Sequence, residues 1–75
     1  MMDFSDALRQ LKAGKRLARA GWNGKGMYIH ISPADWLPSG IQYDAYLRMK
    51  TVQKSYVPWV ASQTDILAED WEIVE

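Results

Sequence analysis

Few side chains in this sequence are of the kinds that move protons, attack carbon or hold metals. His30 is the single histidine and cysteine is absent. No acid or second histidine stands near His30 at ligand spacing, so a polar residue on a strand face is a simpler account of it than a general base or a metal ligand. Asp65, flanked by Gln63 and Thr64 and following Trp59, is the best single polar site residue. Capping of a helix also accounts for it. Glu69 and Asp70 are adjacent carboxylates in an expected turn, with no partner acid in view. No nucleophile elbow and no HExxH motif occur. A nucleotide hydrolase working through His30 and Asp65 is the catalytic reading that stays open, and neither a cofactor nor a metal is expected.

The stretch Gly21-Trp-Asn-Gly-Lys-Gly26 could bring backbone amides close to a phosphate, yet it fits no phosphate-loop template and no helix start follows it. As a turn it is strong. Asn23-Gly24 predicts a type I′ hairpin, because both residues tolerate positive φ. Trp22 beside it either staples that turn to the core or offers a face for a base.

The elements that must position these residues follow from spacing. Phe4, Ala7, Leu8 and Leu11 recur at i, i+3, i+4, i+7 and predict a helix, with Ser5 as its N-cap and Gly14 as its left-handed stop. Lys15 to Ala20 reads as a strand with cations on both faces. One of Arg16 and Arg19 then points inward, where it needs a carboxylate or a phosphate, unless both reach out past the small alanines. Met27, Ile29 and Ile31 alternate with Tyr28, His30 and Ser32, so one face of that strand meets core and the other meets water, ligand or another subunit.

Pro33 to Gln42 reads as an ordered loop. In the segment from Tyr43 to Thr51, Ala45, Leu47 and Met49 face opposite to Tyr46, Arg48 and Lys50. Residues 52 to 55 form a turn, and Tyr56 to Val60 returns as a strand that Pro58 confines to an edge or a bulge. Ser62 and Asp65 predict a capped short helix with Ile66 and Leu67 toward the core. Trp71 to Val74 alternates as a last strand. The fold class expected is α+β, a single domain over residues 1–75: a small antiparallel sheet of four to five strands, the N-terminal helix packed on it and a short helix before the last strand.

At 75 residues a domain buries only about 60% of its unfolded surface, so support from other copies is expected. Four tryptophans and four tyrosines exceed what one small core needs, which points to a subunit interface, a ligand pocket or both. Net charge is zero, which argues against a binder of nucleic-acid polymers. Six of nine cations lie in the first third and five of nine acids in the last eleven residues. That split suits packing of the two ends, an anionic ligand on the basic side, or two solvated faces that screen each other. No apolar run approaches the length of a membrane span, and the start carries no signal-peptide pattern, so a soluble, cytoplasmic protein is expected.

Two blocks carry a resemblance. Phe4-Ser-Asp-Ala-Leu with Leu11-Lys-Ala-Gly-Lys-Arg-Leu-Ala-Arg-Ala-Gly-Trp-Asn-Gly-Lys-Gly-Met27, and Val57-Pro-Trp-Val-Ala-Ser-Gln-Thr-Asp-Ile-Leu-Ala-Glu-Asp-Trp71, resemble the signature blocks of a phage and prophage family, the second type of Thoeris anti-defence protein. The middle, Ile31 to Gln42, looks shorter than in that family. The resemblance implies a non-enzymatic homotetramer that sequesters the cyclic ADP-ribose-type signal of Thoeris immunity, and in some relatives cyclic oligonucleotides. It implies ligand contacts from Trp22, Asn23, Trp59, Gln63, Thr64 and Asp65, with Arg19 or Lys25 toward a phosphate. The tryptophans would stack on adenine, and the amide, hydroxyl and carboxylate groups would take ribose hydroxyls and base edges. The competing expectation is a structural or protein-interaction module whose aromatics fill subunit contacts.

Overall fold

A computed structural model describes residues 1–22 and 25–74. Helix α1 (Phe4–Lys12) is followed by strands β1 (Arg16–Arg19), β2 (Tyr28–Ser32), β3 (Asp35–Trp36), β4 (Gln42–Tyr43), β5 (Tyr46–Lys50) and β6 (Tyr56–Pro58), then helix α2 (Gln63–Leu67) and strand β7 (Trp71–Val74). Five strands make one antiparallel sheet in the order β6-β5-β2-β1-β7. The class is α+β, with α1 on one face and α2 just before the last strand.

Helix α1 begins two residues earlier than the Ser5 cap would allow. Asp3 is the N-cap, its carboxylate accepting from the Asp6 amide at 2.9 Å. Starting there brings Phe4 into the helix, where its ring reaches Trp71 at 5.4 Å between centroids. Gly14 ends the helix at φ +91°, a conformation that costs glycine little. The face expected to be apolar is the one that packs: Ala7 and Leu11 are buried against Leu17, Ile29 and Trp71, with Phe4 and Leu8 beside them.

Both sheet edges are managed. Pro58 lies in β6, the outermost strand on one side, where its missing amide breaks no ladder. On the other side Met2 pairs with Trp71 of β7 through two backbone bonds of 2.9 and 3.1 Å. The segment Pro33 to Gln42, expected to be an ordered loop, instead forms with Tyr43 the ribbon β3-β4, pairing Asp35 with Tyr43 and Trp36 with Gln42. Residues 37 to 41 close it through the Leu37 amide donating to the Ile41 carbonyl at 2.8 Å. The Asn23-Gly24 hairpin turn lies outside the described residues.

Helix α2 reverses one expectation. Ser62 caps it as predicted, with Asp65 completing a capping box, but Ile66 and Leu67 are 47% and 78% exposed. The inward positions are Ala61, Asp65 and Ala68, spaced i, i+4, i+7. The indole Nε1 of Trp71 donates to the Asp65 carbonyl at 2.9 Å, and Ala68 packs on the core. With those contacts fixing the rotation of so short a helix, the two aliphatic residues turn outward. Ser62→Ala is expected to cost about 1 kcal/mol, in the ordinary range for a lost N-cap. Chemical denaturation of the purified chain measures it.

Candidate functional site

Arg19 stands on the core face at the end of β1, directly across from Trp71 in β7. Its Nε donates to Asp70 Oδ1 at 2.9 Å and its Nη1 to Asp65 Oδ1 at 3.0 Å. It is therefore the inward arginine, and it found carboxylates, while Arg16 is exposed. Asp70 also accepts from the Gly21 amide at 3.1 Å, and Asp65 Oδ2 accepts from the Ser62 hydroxyl at 2.9 Å.

Around this knot the large rings meet edge to face. Trp22 lies 5.5 Å from Trp71 and 6.5 Å from Trp59, and Trp59 lies 6.0 Å from Trp71. Such tilted contacts add to area burial and fix the mutual angles of the rings. The Trp22 amide donates to the Arg19 carbonyl at 3.1 Å, tying the indole cluster to the ion pair.

The expected site residues thus divide. Arg19, Trp22, Trp59 and Asp65 come together at one corner of the fold. Gln63 and Thr64 are exposed on the first turn of α2, whose Asp65 belongs to that corner, and Lys25 is exposed in the turn before β2. Asn23 lies outside the described residues. Asp70 was missed as a partner of Arg19, because the two are 51 positions apart and only the pairing of β1 with β7 unites them.

Electrostatics at the corner suit permanent charges. The Arg19 guanidinium is held even more firmly protonated by its bonds to Asp70 and Asp65. Burial pushes the Asp65 carboxyl up, but the bonds from Arg19 and Ser62 outweigh it and the group lies below its ordinary value. Asp70 is lowered chiefly by the Arg19 bond, against a smaller desolvation effect. Carboxylates held ionised in this way position neighbours rather than carry protons near neutral pH.

The opposite sheet face carries a second cluster. Cross-strand pairing sets Lys50 between Tyr28 and Tyr56, and His30 beside Arg48. The Arg48 guanidinium lies 4.0 Å from the centre of the Tyr56 ring and its Nε donates to His30 Nε2 at 2.8 Å. Arg16 and Lys50 lie 5.2 and 5.6 Å from the centre of the Tyr28 ring. The Tyr28 and Tyr56 hydroxyls are 3.1 Å apart; their hydrogen bond makes Tyr28 the more acidic of the two and Tyr56 the less. Burial, then the charges of Arg48 and Arg16, push His30 below its ordinary value, so its Nε2 is an acceptor already in use.

Among the described residues, no group of three His, Cys, Asp or Glu side chains could hold a metal, and no helix is long and apolar enough to cross a membrane. Comparison with known proteins then places the chain. A family model described as the Thoeris anti-defense 2-like domain matches residues 2–74. A curated relative, Thoeris anti-defense 2 of Bacillus phage SP01, is 40% identical over 84 aligned positions that take in 97% of this chain and 94% of the relative. Those positions outnumber the 75 residues here, so the relative carries residues that this chain lacks. With the family model spanning nearly every residue and the relative matched over almost its whole length, the chain belongs to the Thoeris anti-defense 2-like family.

Proposed function

We propose that this protein blocks anti-phage defence without catalysis, by sequestering a cyclic nucleotide signal of the cyclic ADP-ribose type in the cytoplasm of the infected bacterium. Cyclic oligonucleotides are the neighbouring ligand class. The observation that carries this reading is family membership across residues 2–74, together with the anti-defence name of the phage relative. The corner supports it. Trp22 and Trp59 are half-buried next to a rigid ion pair, and Gln63 and Thr64 stand exposed at the start of the helix that the ion pair anchors. Indoles stack on adenine, while amide and hydroxyl groups serve ribose and base edges. Arg19 and Asp65 act in this reading by holding the start of α2, and Lys25, exposed before β2, serves a phosphate of the ligand; Asn23 belongs to the reading through the sequence resemblance alone.

A homotetramer completes the reading. Val60 and Leu67, 88% and 78% exposed, flank the corner beside Ile66. A second copy laid over them would both bury that apolar surface and wall in the ligand. The exposed Trp36, Leu37 and Ile41 of the β3-β4 ribbon favour a second reading, a protein-interaction module with no small-molecule ligand.

Calorimetric titration with cyclic ADP-ribose isomers and cyclic dinucleotides, followed by mass spectrometry of the ligand released on heating, separates these accounts. Sequestration predicts binding heat and an intact ligand. A hydrolase would return a cleaved one, and an interaction module would give no heat. Gln63→Ala and Thr64→Ala, both on the helix surface, are expected to keep the fold and to weaken binding about five- to tenfold each, the usual worth of one hydrogen bond. Unchanged affinity in both variants would move the site away from this corner.

A further inference from the structure

The sheet face that α1 leaves uncovered has a composition that the corner does not explain. Its described residues include three cations, Arg16, Arg48 and Lys50, and one acid, Glu72. Glu72 sits on the far edge strand β7, with β1 and β2 between it and β5, which carries Arg48 and Lys50. Neighbouring strands lie about 4.8 Å apart, so the acid is on the order of 14 Å of sheet away from them. Among the described residues no ion pair joins Arg16, Arg48 or Lys50 to a carboxylate.

Arg48 is also held in place. Its guanidinium is stacked 4.0 Å from the Tyr56 ring centre and spends its Nε–H on the neutral ring of His30, at 2.8 Å. That leaves the guanidinium terminus, with its fork of N–H groups, oriented but uncompensated in charge. Lys50, two residues along the same strand and therefore on the same face, is tethered through Nζ to the Gly26 carbonyl at 3.0 Å, a bond that uses one of its three donors. A second copy offering the same face would set cations against cations. An anion with several oxygens is what this charge arrangement complements.

We propose that the Arg48–Lys50 face is a binding site for a diphosphate group, separate from the tryptophan corner on the other side of the sheet. The Arg48 fork takes one phosphate and Lys50 the other, while Tyr28 and Tyr56 hold the two cations at fixed positions. The shared chemistry is the diphosphate. Its source is either the free anion or a nucleoside diphosphate, whose base would add a stacking contact.

His30 is the single histidine, so its ring protons in an NMR titration report this face, while tryptophan fluorescence in a Trp36→Phe background, which keeps only the three indoles of the corner, reports the corner. The probes are inorganic pyrophosphate and ADP, at ionic strength matched with potassium chloride. The expected result is a saturable shift of the His30 resonances with both, without a change in tryptophan emission. A Kd at least tenfold lower for ADP assigns the nucleoside form, and equal values assign the free anion. Arg48→Gln and Lys50→Gln are each expected to weaken binding about tenfold or more, and Arg48→Lys less so; circular dichroism checks that each variant is folded. A His30 shift that never saturates, or one that potassium chloride alone reproduces, overturns the proposal. So does an affinity unchanged in Lys50→Gln, whose exposed amine no core contact requires. Because the two reporters sit on opposite faces, failure here leaves the corner reading standing, and the reverse holds too.

Discussion

Trp71→Ala is expected to abolish cooperative unfolding. The residue is 0% exposed, and its ring is the one that Phe4, Trp22 and Trp59 all touch. Removing so large a buried side chain costs about 3–5 kcal/mol, because the surroundings collapse only in part into the space it leaves. A chain of 75 residues has roughly 4–11 kcal/mol of total stability, at about 0.05–0.15 kcal/mol per residue. The loss thus takes a large share of what exists. Trp71→Phe separates two contributions. It keeps an aromatic ring in the cluster but removes the indole N–H that serves the Asp65 carbonyl, and an acceptor left unserved costs about 1–3 kcal/mol. Guanidinium titrations followed by far-ultraviolet circular dichroism, which the loss of an indole does not disturb, measure both. A Trp71→Ala protein with a midpoint close to the parent's would mean that α2 and the N-terminal segment are held by something other than this ring.

The parts of the fold that could be read in advance are those written in local spacing. The apolar stripe of α1, the stop at Gly14, the Ser62–Asp65 capping box and the edge position of Pro58 each rest on residues within a few positions of one another. What could not be read depends on pairings across the chain. Ile66 and Leu67 are apolar and adjacent, and on hydrophobicity alone they belong inside. The rotation of α2 is instead decided by Trp71, six residues from Asp65, and by Arg19, 46 residues away. Ser5 and Asp3 are equally good caps by type; the choice falls to Asp3 because the longer helix delivers Phe4 to the indoles.

The same reasoning applies to function. The alternation that puts Tyr28 and His30 on one face of β2, and Arg48 and Lys50 on one face of β5, was legible strand by strand. That these faces coincide depends on the register pairing His30 with Arg48, and a shift of one residue would have sent the cations to the core. Of the site residues that the family resemblance implies, four, Arg19, Trp22, Trp59 and Asp65, do assemble at the corner. Their ion pair nonetheless joins both ends of the chain, which is the complementary packing that the uneven distribution of charge allowed.

Acid should dismantle the protein in two stages, and the knot at Arg19 should govern the second. The folded His30 lies below 6.5, so the unfolded chain takes up a proton there first. Its contribution to stability is complete above pH 6.5 and declines as pH falls from that value toward the folded one. Protonation also removes the acceptor of the Arg48 bond. Asp65 and Asp70 both lie below 3.8 in the folded state, so their contribution is complete above pH 3.8 and is lost as pH falls through their lowered values. Arg19 stays charged throughout. Thermal midpoints measured from pH 8 to pH 2 should therefore step down gently below 6.5 and steeply below 4. His30→Gln, which keeps an acceptor without a titrating ring, is expected to erase the first step and spare the second. Arg19→Met leaves two inward carboxylates without their cation. It is expected to destabilise the chain strongly at pH 7 and to flatten or invert the second step, because protonating Asp65 and Asp70 then relieves repulsion instead of breaking a bond. Arg9→Met serves as the control, since Arg9 pairs with Asp6 on the exposed surface of α1, where such pairs contribute about 0–1 kcal/mol. If Arg19→Met tracked the Arg9→Met protein across this range, the anchoring of α2 would have to be assigned to the Trp71 indole alone.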